Sequence, residues 1–495
     1  MNFRRQQINL SFYRYNFLDY NSLRKWRTTH MGEIVVTAPF DGAEIGSVSS
    51  TNSEQIENIL ENGYSLYKDR GKWLSKAKRI EILRNTAEII RDRREQLALA
   101  SAREGGKPLK DSLVEIDRGA DGVETCVEEL RTRAGHVIPM GVNTSSAGRI
   151  AFTQYEPIGL VVAVSAFNHP FNLIVHQVAP AVAVGCPVIV KPAPQTPLMC
   201  EAFIEILIES GLPQEWVKMV MPENLELATS LVADKRVGFF SFIGSSGVGW
   251  MLRSKLAPGA RCALEHGGVA PAIVAADADL NFALPSLAKG GFYHAGQVCV
   301  SVQRIFCDAK IVDDVVQGLS TQAKNMTVGD PTLIETDVGP LISNTECDRV
   351  DNWVTEAISG GAGLVAGGKK ISDSCYQPTV LLNPPLDAKI SNSEVFGPVI
   401  CVYPFDKLED AIYKANSLPV SFQAAVYTQD LDTAMYCYKN LDGTAIMVND
   451  HTAFRVDWMP FAGAKTSGHG VGGIPFTVHE MQTEKMMVWR SDALG

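Results

Sequence analysis

Cys299 closes the segment Phe292-Tyr-His-Ala-Gly-Gln-Val-Cys299, where a Gly-Gln turn ahead of a helix would expose a thiol and favour its nucleophilic, ionised form. On that segment alone, a buried structural cysteine is the stronger reading. Glu265 ends the apolar run Cys262 to Leu264 and precedes His266, Gly267 and Gly268. A general base needs a rigid stem and freedom to move, which a strand end followed by glycines provides; an ion-paired surface acid would look the same. Asn168, in Ala166-Phe-Asn-His-Pro170, follows the run Leu160 to Ser165 at its C-terminal end, where α/β sheets build their sites. Its amide is suited to donate to a developing oxyanion, or to form the turn before Pro170. Lys191 ends the apolar run Val188 to Val190, which places a lysine in the neighbouring crevice. Phe242-Ile-Gly244-Ser245-Ser-Gly-Val-Gly249 reads as strand, glycine turn and helix start, an arrangement that receives a pyrophosphate, although it does not match G-x-G-x-x-G.

The elements that would hold these residues alternate regularly. Thr51-x-x-Glu54 has the form of a capping box, and the helix it opens carries Ile56, Ile59, Leu60, Gly63, Leu66 and Tyr67 at helical spacing. A second helix is expected over 76–104 and a third over 111–133. The third has Leu113, Ile116, Ala120, Val123, Val127 and Leu130 on one stripe and Arg118 opposite. Between 159 and 268, apolar runs at Leu160, Val188, Val217, Val237 and Cys262 read as buried strands separated by helices. The clearest of those helices begins at Thr196 and stops at Gly211. Such units imply a parallel sheet covered on both faces. The rhythm restarts at Ala272 and runs to about Ile446, while the polar stretch 135–155 reads as a hairpin and Glu484 to Arg490 as a late strand.

Composition narrows the function classes. Forty-five basic against 55 acidic side chains, a net charge of −10, argue against general nucleic-acid binding, which requires a basic surface. The apolar run Leu173 to Val190 is broken by His176, Gln177, Pro180 and Pro187, so no membrane span is expected. Ten cysteines at wide spacing, with no C-x-x-C pair, fit neither a disulfide framework nor a zinc ribbon; they point to a reducing, cytoplasmic setting and no metal. Residues 1–30 form a basic leader with Arg4, Arg5, Arg14, Arg24, Lys25 and Arg27 against Asp19. It is read as a disordered tail, a start-site artefact or a targeting segment.

Taken together and in order, these segments resemble the aldehyde dehydrogenase superfamily from about Met31 onward. Phe292 to Cys299 is similar to its cysteine signature, Leu264 to Gly268 to its glutamate signature, and Glu394-Val-Phe396-Gly-Pro398 to its E-x-F-G-P motif. Pro460-Phe461 with Lys465-Thr-Ser-Gly468 is similar to its C-terminal segment. The resemblance implies an α/β fold with a Rossmann-like parallel-sheet cofactor domain (31–134 and 156–268) and an α/β catalytic domain (269–446). It further implies a small β oligomerisation element (135–155 and 478–495) and a return segment (447–477) lining the substrate tunnel, in a homodimer or homotetramer. It assigns Cys299 as nucleophile, Asn168 with the Cys299 backbone N–H as oxyanion donors, and Glu265 as the base that hydrolyses a thioester. Lys191, Gly244, Ser245, Glu394 and Phe396 are assigned to NAD, with NADP also admitted because Pro194 stands where many NAD-dependent members place a glutamate.

The segment Asn449 to Phe461, with His169 beside Asn168, further resembles the phosphonoacetaldehyde branch of that superfamily. This resemblance implies a small anionic aldehyde held by Arg118, His169, His451 and Arg455. Arg118 has the alternative of an ion pair with Glu115 or Asp121. Val298 replaces an arginine of that branch, which favours a monoanion, sulfoacetaldehyde, ahead of phosphonoacetaldehyde, succinate semialdehyde and lactaldehyde.

Overall fold

The structure, a computed structural model, describes residues 32–494; the basic leader lies outside them. A hairpin of β1 (Glu33–Thr37) and β2 (Glu44–Ser49) leads into α1 (Ser53–Lys68). The capping box sits one residue later than expected, because Asn52, not Thr51, exchanges hydrogen bonds with Gln55. The expected helix 76–104 is two, α2 (Lys76–Asp92) and α3 (Arg94–Gly105), broken at Arg93, whose guanidinium reaches Glu209 at 2.7 Å. Next come α4 (Leu109–Thr132), β3 (Val137–Ile138) and β4 (Arg149–Pro157).

A six-stranded sheet then builds from β5 (Leu160–Val164), β6 (Val188–Lys191), β7 (Val217–Met219), β8 (Val237–Ile243) and β9 (Arg261–Glu265). Between them lie α5 (Asn172–Val184), α6 (Leu198–Glu209), α7 (Leu225–Ala233) and α8 (Ser246–Arg253). Strand order is β9-β8-β5-β6-β7, all parallel, so the chain leaves β5 on one side and returns to its other side at β8. At such a switch point, the loops at the strand C-termini diverge and leave a crevice. The loops after β5 and β8 carry Asn168 and Gly244, and Lys191 and Glu265 are the last residues of β6 and β9.

Only four residues separate Glu265 from β10 (Ala270–Val274), which opens the second sheet. After α9 (Leu280–Phe292) and β11 (Val302–Asp308) come β12 (Gly363–Ala366), β13 (Thr379–Leu382), β14 (Val399–Phe405), β15 (Val420–Ser421), β16 (Gln423–Tyr427) and β17 (Ala445–Val448). Seven of these strands order as β12-β13-β14-β11-β10-β16-β17, parallel except for β12, around a core that includes Ile273, Leu287, Ile305, Phe306, Ile400 and Val402. β15 pairs instead with β18 (Ala464–Lys465), and β19 (Gly468–His469) returns to the first sheet beside β9. The last strand, β20 (Gln482–Arg490), joins β4 and β3 in an antiparallel sheet, with register Gln482 opposite Pro157 through Arg490 opposite Arg149. The hairpin and the late strand are thus one element. Among the described residues, no helix is long and apolar enough to cross a membrane.

Candidate active site

The two sheets meet where β9 ends and β10 begins. Parallel pairing aligns Ala270 with Val302, which brings Gly268 against the Cys299 carbonyl. Cys299 therefore stands ahead of strand β11 and not ahead of a helix, contrary to the expectation from its Gly-Gln turn. What exposes it is a run of left-handed backbone at His294 (φ 48°), Ala295 (φ 53°) and Gly296 (φ 70°), which turns the chain sharply after α9. Gln297 fastens the far side of that turn. Its amide nitrogen donates to His294 and Pro340 carbonyls, and its oxygen accepts from the Ile342 N–H. Cys299 is partly exposed, whereas eight of the ten free cysteines are buried.

Asn168 Nδ2 donates to the Gln297 carbonyl at 2.8 Å, tying the loop after β5 to the cysteine turn; its second N–H hydrogen remains for a ligand. The Glu265 carboxylate lies over Gly472, and burial raises its pKa. Burial also pushes the Cys299 thiol up to about 12, opposed by the Arg455 charge. Cys299, Asn168 and Glu265 thus come together at the junction of the sheets.

The cofactor-side residues sit on the crevice of the first sheet. Ser245 is the N-cap of α8 and makes no side-chain cap bond, leaving the helix N-terminus open to an anion. Among the described residues, Lys191 Nζ reaches only the Pro192 carbonyl, at 3.3 Å, and burial lowers its pKa. Glu394 lies over Gly267 with Oε1 buried and unpartnered, and burial pushes its pKa up to about 8. Phe396, at φ 46°, stands edge-on to Phe167 at 5.7 Å. A buried acceptor without a donor, a lysine on a strand end and an uncapped helix fit the ribose hydroxyls and pyrophosphate of a dinucleotide.

The aldehyde dehydrogenase family model matches residues 26–487. The chain belongs to the aldehyde dehydrogenase family. It is 33% identical to 3-sulfolactaldehyde dehydrogenase of Priestia aryabhattai over 464 residues, 94% of this chain and 96% of the relative. It is 35% identical to lactaldehyde dehydrogenase of Methanocaldococcus jannaschii over 92% of this chain and 96% of that one. Among solved structures, aldehyde dehydrogenase 21 of Physcomitrella patens, in complex with the reaction product succinate, superposes with a TM-score of 0.90 at 30% identity, covering 94% and 96% of the two chains. The M. jannaschii glyceraldehyde-3-phosphate dehydrogenase complexed with NADP gives 0.89 at 32%, covering 94% and 100%. The fold is that of the family, the enzyme class is NAD(P)-dependent aldehyde oxidation, and the neighbours hold either dinucleotide.

The expected substrate residues divide. Arg455 lies 3.6 Å over the Phe461 ring, against which Cys299 also packs; its charge acts on both Cys299 and Glu265, and its Nε is buried without a partner. His169 is buried beside Tyr293, whose hydroxyl is 3.4 Å from Nε2, and burial holds the ring neutral. His451 is turned to α9: its Cβ sits over Gly290, and its charged neighbours are Asp450 and Lys289. Arg118 pairs with neither Glu115 nor Asp121. It is held by Asp457, because α4 is covered on two sides, and the face opposite its apolar stripe packs on α5 through Gly119 and Gly122. Asp457, His176 and the buried Lys107–Glu115 pair were not singled out from sequence. Of these, only His176 left a signal, as a lone imidazole within an apolar helix.

Proposed function

We propose that this aldehyde dehydrogenase oxidises a small anionic aldehyde, sulfoacetaldehyde first, to its carboxylic acid. The observation that carries the reading is Arg455, half-buried, with its Nε buried and without a partner among the described residues; it lies over Phe461, in the cluster against which Cys299 packs, and within electrostatic reach of Glu265. A buried N–H without an acceptor is costly, and a substrate anion relieves that cost. Two comparisons support the same class: 3-sulfolactaldehyde carries a sulfonate, and succinate carries a second carboxylate remote from the one formed.

In this reading Cys299 adds to the aldehyde carbon, and Asn168 with the Cys299 backbone N–H stabilises the oxyanion. NAD(P)+, held by Lys191, Gly244, Ser245, Glu394 and Phe396, supplies the hydride acceptor. Glu265 then takes a proton from water, which cleaves the Cys299 thioester. Retention of this base favours hydrolysis over acyl transfer to coenzyme A. The first sheet and its helices serve the cofactor and the second sheet the thiol, while β3, β4 and β20 serve assembly into a homodimer or homotetramer. The free, largely buried thiols accord with a cytoplasmic setting.

A second reading, an uncharged 2-hydroxyaldehyde, is favoured by the 35% identity to lactaldehyde dehydrogenase. Initial rates of NADH and NADPH formation on sulfoacetaldehyde, phosphonoacetaldehyde, succinate semialdehyde and lactaldehyde separate the two. The first reading predicts that the charged aldehydes lead and that Arg455→Met removes their lead; equal kcat/KM for lactaldehyde and the anions supports the second.

A further inference from the structure

Arg118 and Arg455, both half-buried, belong to one chain of polar contacts, and the structure treats them unequally. Arg118 Nε and Nη2 donate to the two oxygens of Asp457 at 3.0 and 2.7 Å, a bidentate pair. The same carboxylate accepts His176 Nε2–H at 2.6 Å and Asn172 Nδ2–H at 3.1 Å. His176 then accepts, through Nδ1, from Arg455 Nη2 at 3.3 Å, so the chain of contacts runs Arg118, Asp457, His176, Arg455. Burial keeps His176 neutral, its pKa pulled down to about 4 with help from the Arg455 charge, and it keeps His169 neutral as well. Burial opposes the charge on Asp457, but its hydrogen bonds and the Arg118 charge hold the carboxyl far below the usual carboxylate range. Arg118 and Asp457 therefore cancel. The positive charge left in this chain of contacts is that of Arg455, which acts on Cys299 and Glu265.

We infer that Asp457 and His176 set the charge selectivity of the substrate pocket: by neutralising Arg118 and tethering Arg455, they leave an anion subsite of net charge +1 that selects a sulfonate or carboxylate monoanion over a phosphonate dianion. Asp457 is a positioning residue, acting through the two arginines. A dianion in this subsite keeps one negative charge buried without a counter-charge, whereas a monoanion is matched. The inference rests on the proposed reading that Arg455 meets the anionic end of the substrate.

The test measures kcat/KM for sulfoacetaldehyde, phosphonoacetaldehyde and 3,3-dimethylbutanal, whose tert-butyl group has the shape of a sulfonate without its charge. Asp457→Asn adds one positive charge to the pocket and raises the phosphonate-to-sulfonate ratio about tenfold or more. Arg118→Gln removes one and lowers the same ratio, weakening both anions relative to dimethylbutanal. The double variant Arg118→Gln/Asp457→Asn restores the wild-type ratio. Opposite shifts from the two members of one ion pair are not what loss of a structural contact produces. Should Asp457→Asn fail to fold, recovery of the ratio between Arg118→Gln and the double variant carries the test. Single variants that leave the ratio unchanged, or move it in the same direction, overturn the inference. A wild-type enzyme that uses dimethylbutanal as well as sulfoacetaldehyde overturns the proposed anionic substrate itself, and the inference with it.

Discussion

The ionisation of Cys299, the proposed nucleophile, is held back by its own burial. With its pKa pushed up to about 12, the thiolate is a minor species near neutrality, and its fraction grows about tenfold per pH unit below that value. Alkylation of Cys299 by iodoacetamide is therefore expected to accelerate through the whole alkaline range. Arg455 lowers this pKa, so Arg455→Met shifts the profile to higher pH and slows alkylation at every pH below the plateau. His266 offers a second residue-level prediction. Gly244 N–H donates to the Glu265 carbonyl at 3.0 Å, and the Gly244 carbonyl accepts from His266 Nδ1 at 2.9 Å, so both polar groups of the cofactor turn are fastened to the strand end that carries the base. Removing one such bond costs about 0.5–1.5 kcal/mol. His266→Ala is expected to raise the KM for NAD(P) roughly three- to tenfold with little change in the KM for aldehyde. His266→Asn, which keeps a donor near the Nδ1 position, recovers most of the loss.

At the scale of elements, the loop that carries Asn168 and His169 is anchored from below by one carboxylate. Glu115 Oε1 accepts the backbone N–H groups of Phe171 and Asn172, both at 3.0 Å, at the start of α5; Oε2 accepts from Lys107 Nζ at 2.6 Å and Ser101 Oγ at 3.2 Å. Lys107 and Glu115 are fully buried. Glu115→Ala strands the Lys107 charge and is expected to cost about 3–5 kcal/mol, read as a lowered denaturation midpoint. None of this was legible beforehand. Periodicity located α4 and its stripe, because one apolar face repeats at 3.6 residues. It cannot show that a second face is also covered, since there the signal is two glycines, one of which lets the Phe171 ring approach to 2.7 Å of where a Cβ would stand. The parallel strands were legible because burial on both faces makes them continuously apolar. Polar partners that meet across hundreds of residues, such as Arg118 and Asp457, leave no local pattern.

For the molecule as a whole, the antiparallel sheet of β3, β4 and β20 has the least covered surface. β20 forms its edge, with Met486, Met487, Val488 and Trp489 all exposed. An apolar, unpaired strand edge is a template for another chain. Light scattering is expected to give a dimer or tetramer of the 53.9 kDa chain, with Met487→Lys/Trp489→Lys shifting the mass toward the monomer. The two sheets meet at Gly268, so Glu265 and Cys299 belong to different layers joined by a few residues, and the proposed reaction is placed where those layers face each other. The most direct test of this arrangement uses Glu265→Gln, which lacks the base for hydrolysis. Mixed with NAD(P)+ and sulfoacetaldehyde, it should release one equivalent of reduced cofactor and hold a sulfoacetyl group on Cys299, detectable by peptide mass spectrometry. Continued turnover with an unmodified Cys299, or an acyl group found on another residue, would contradict the account.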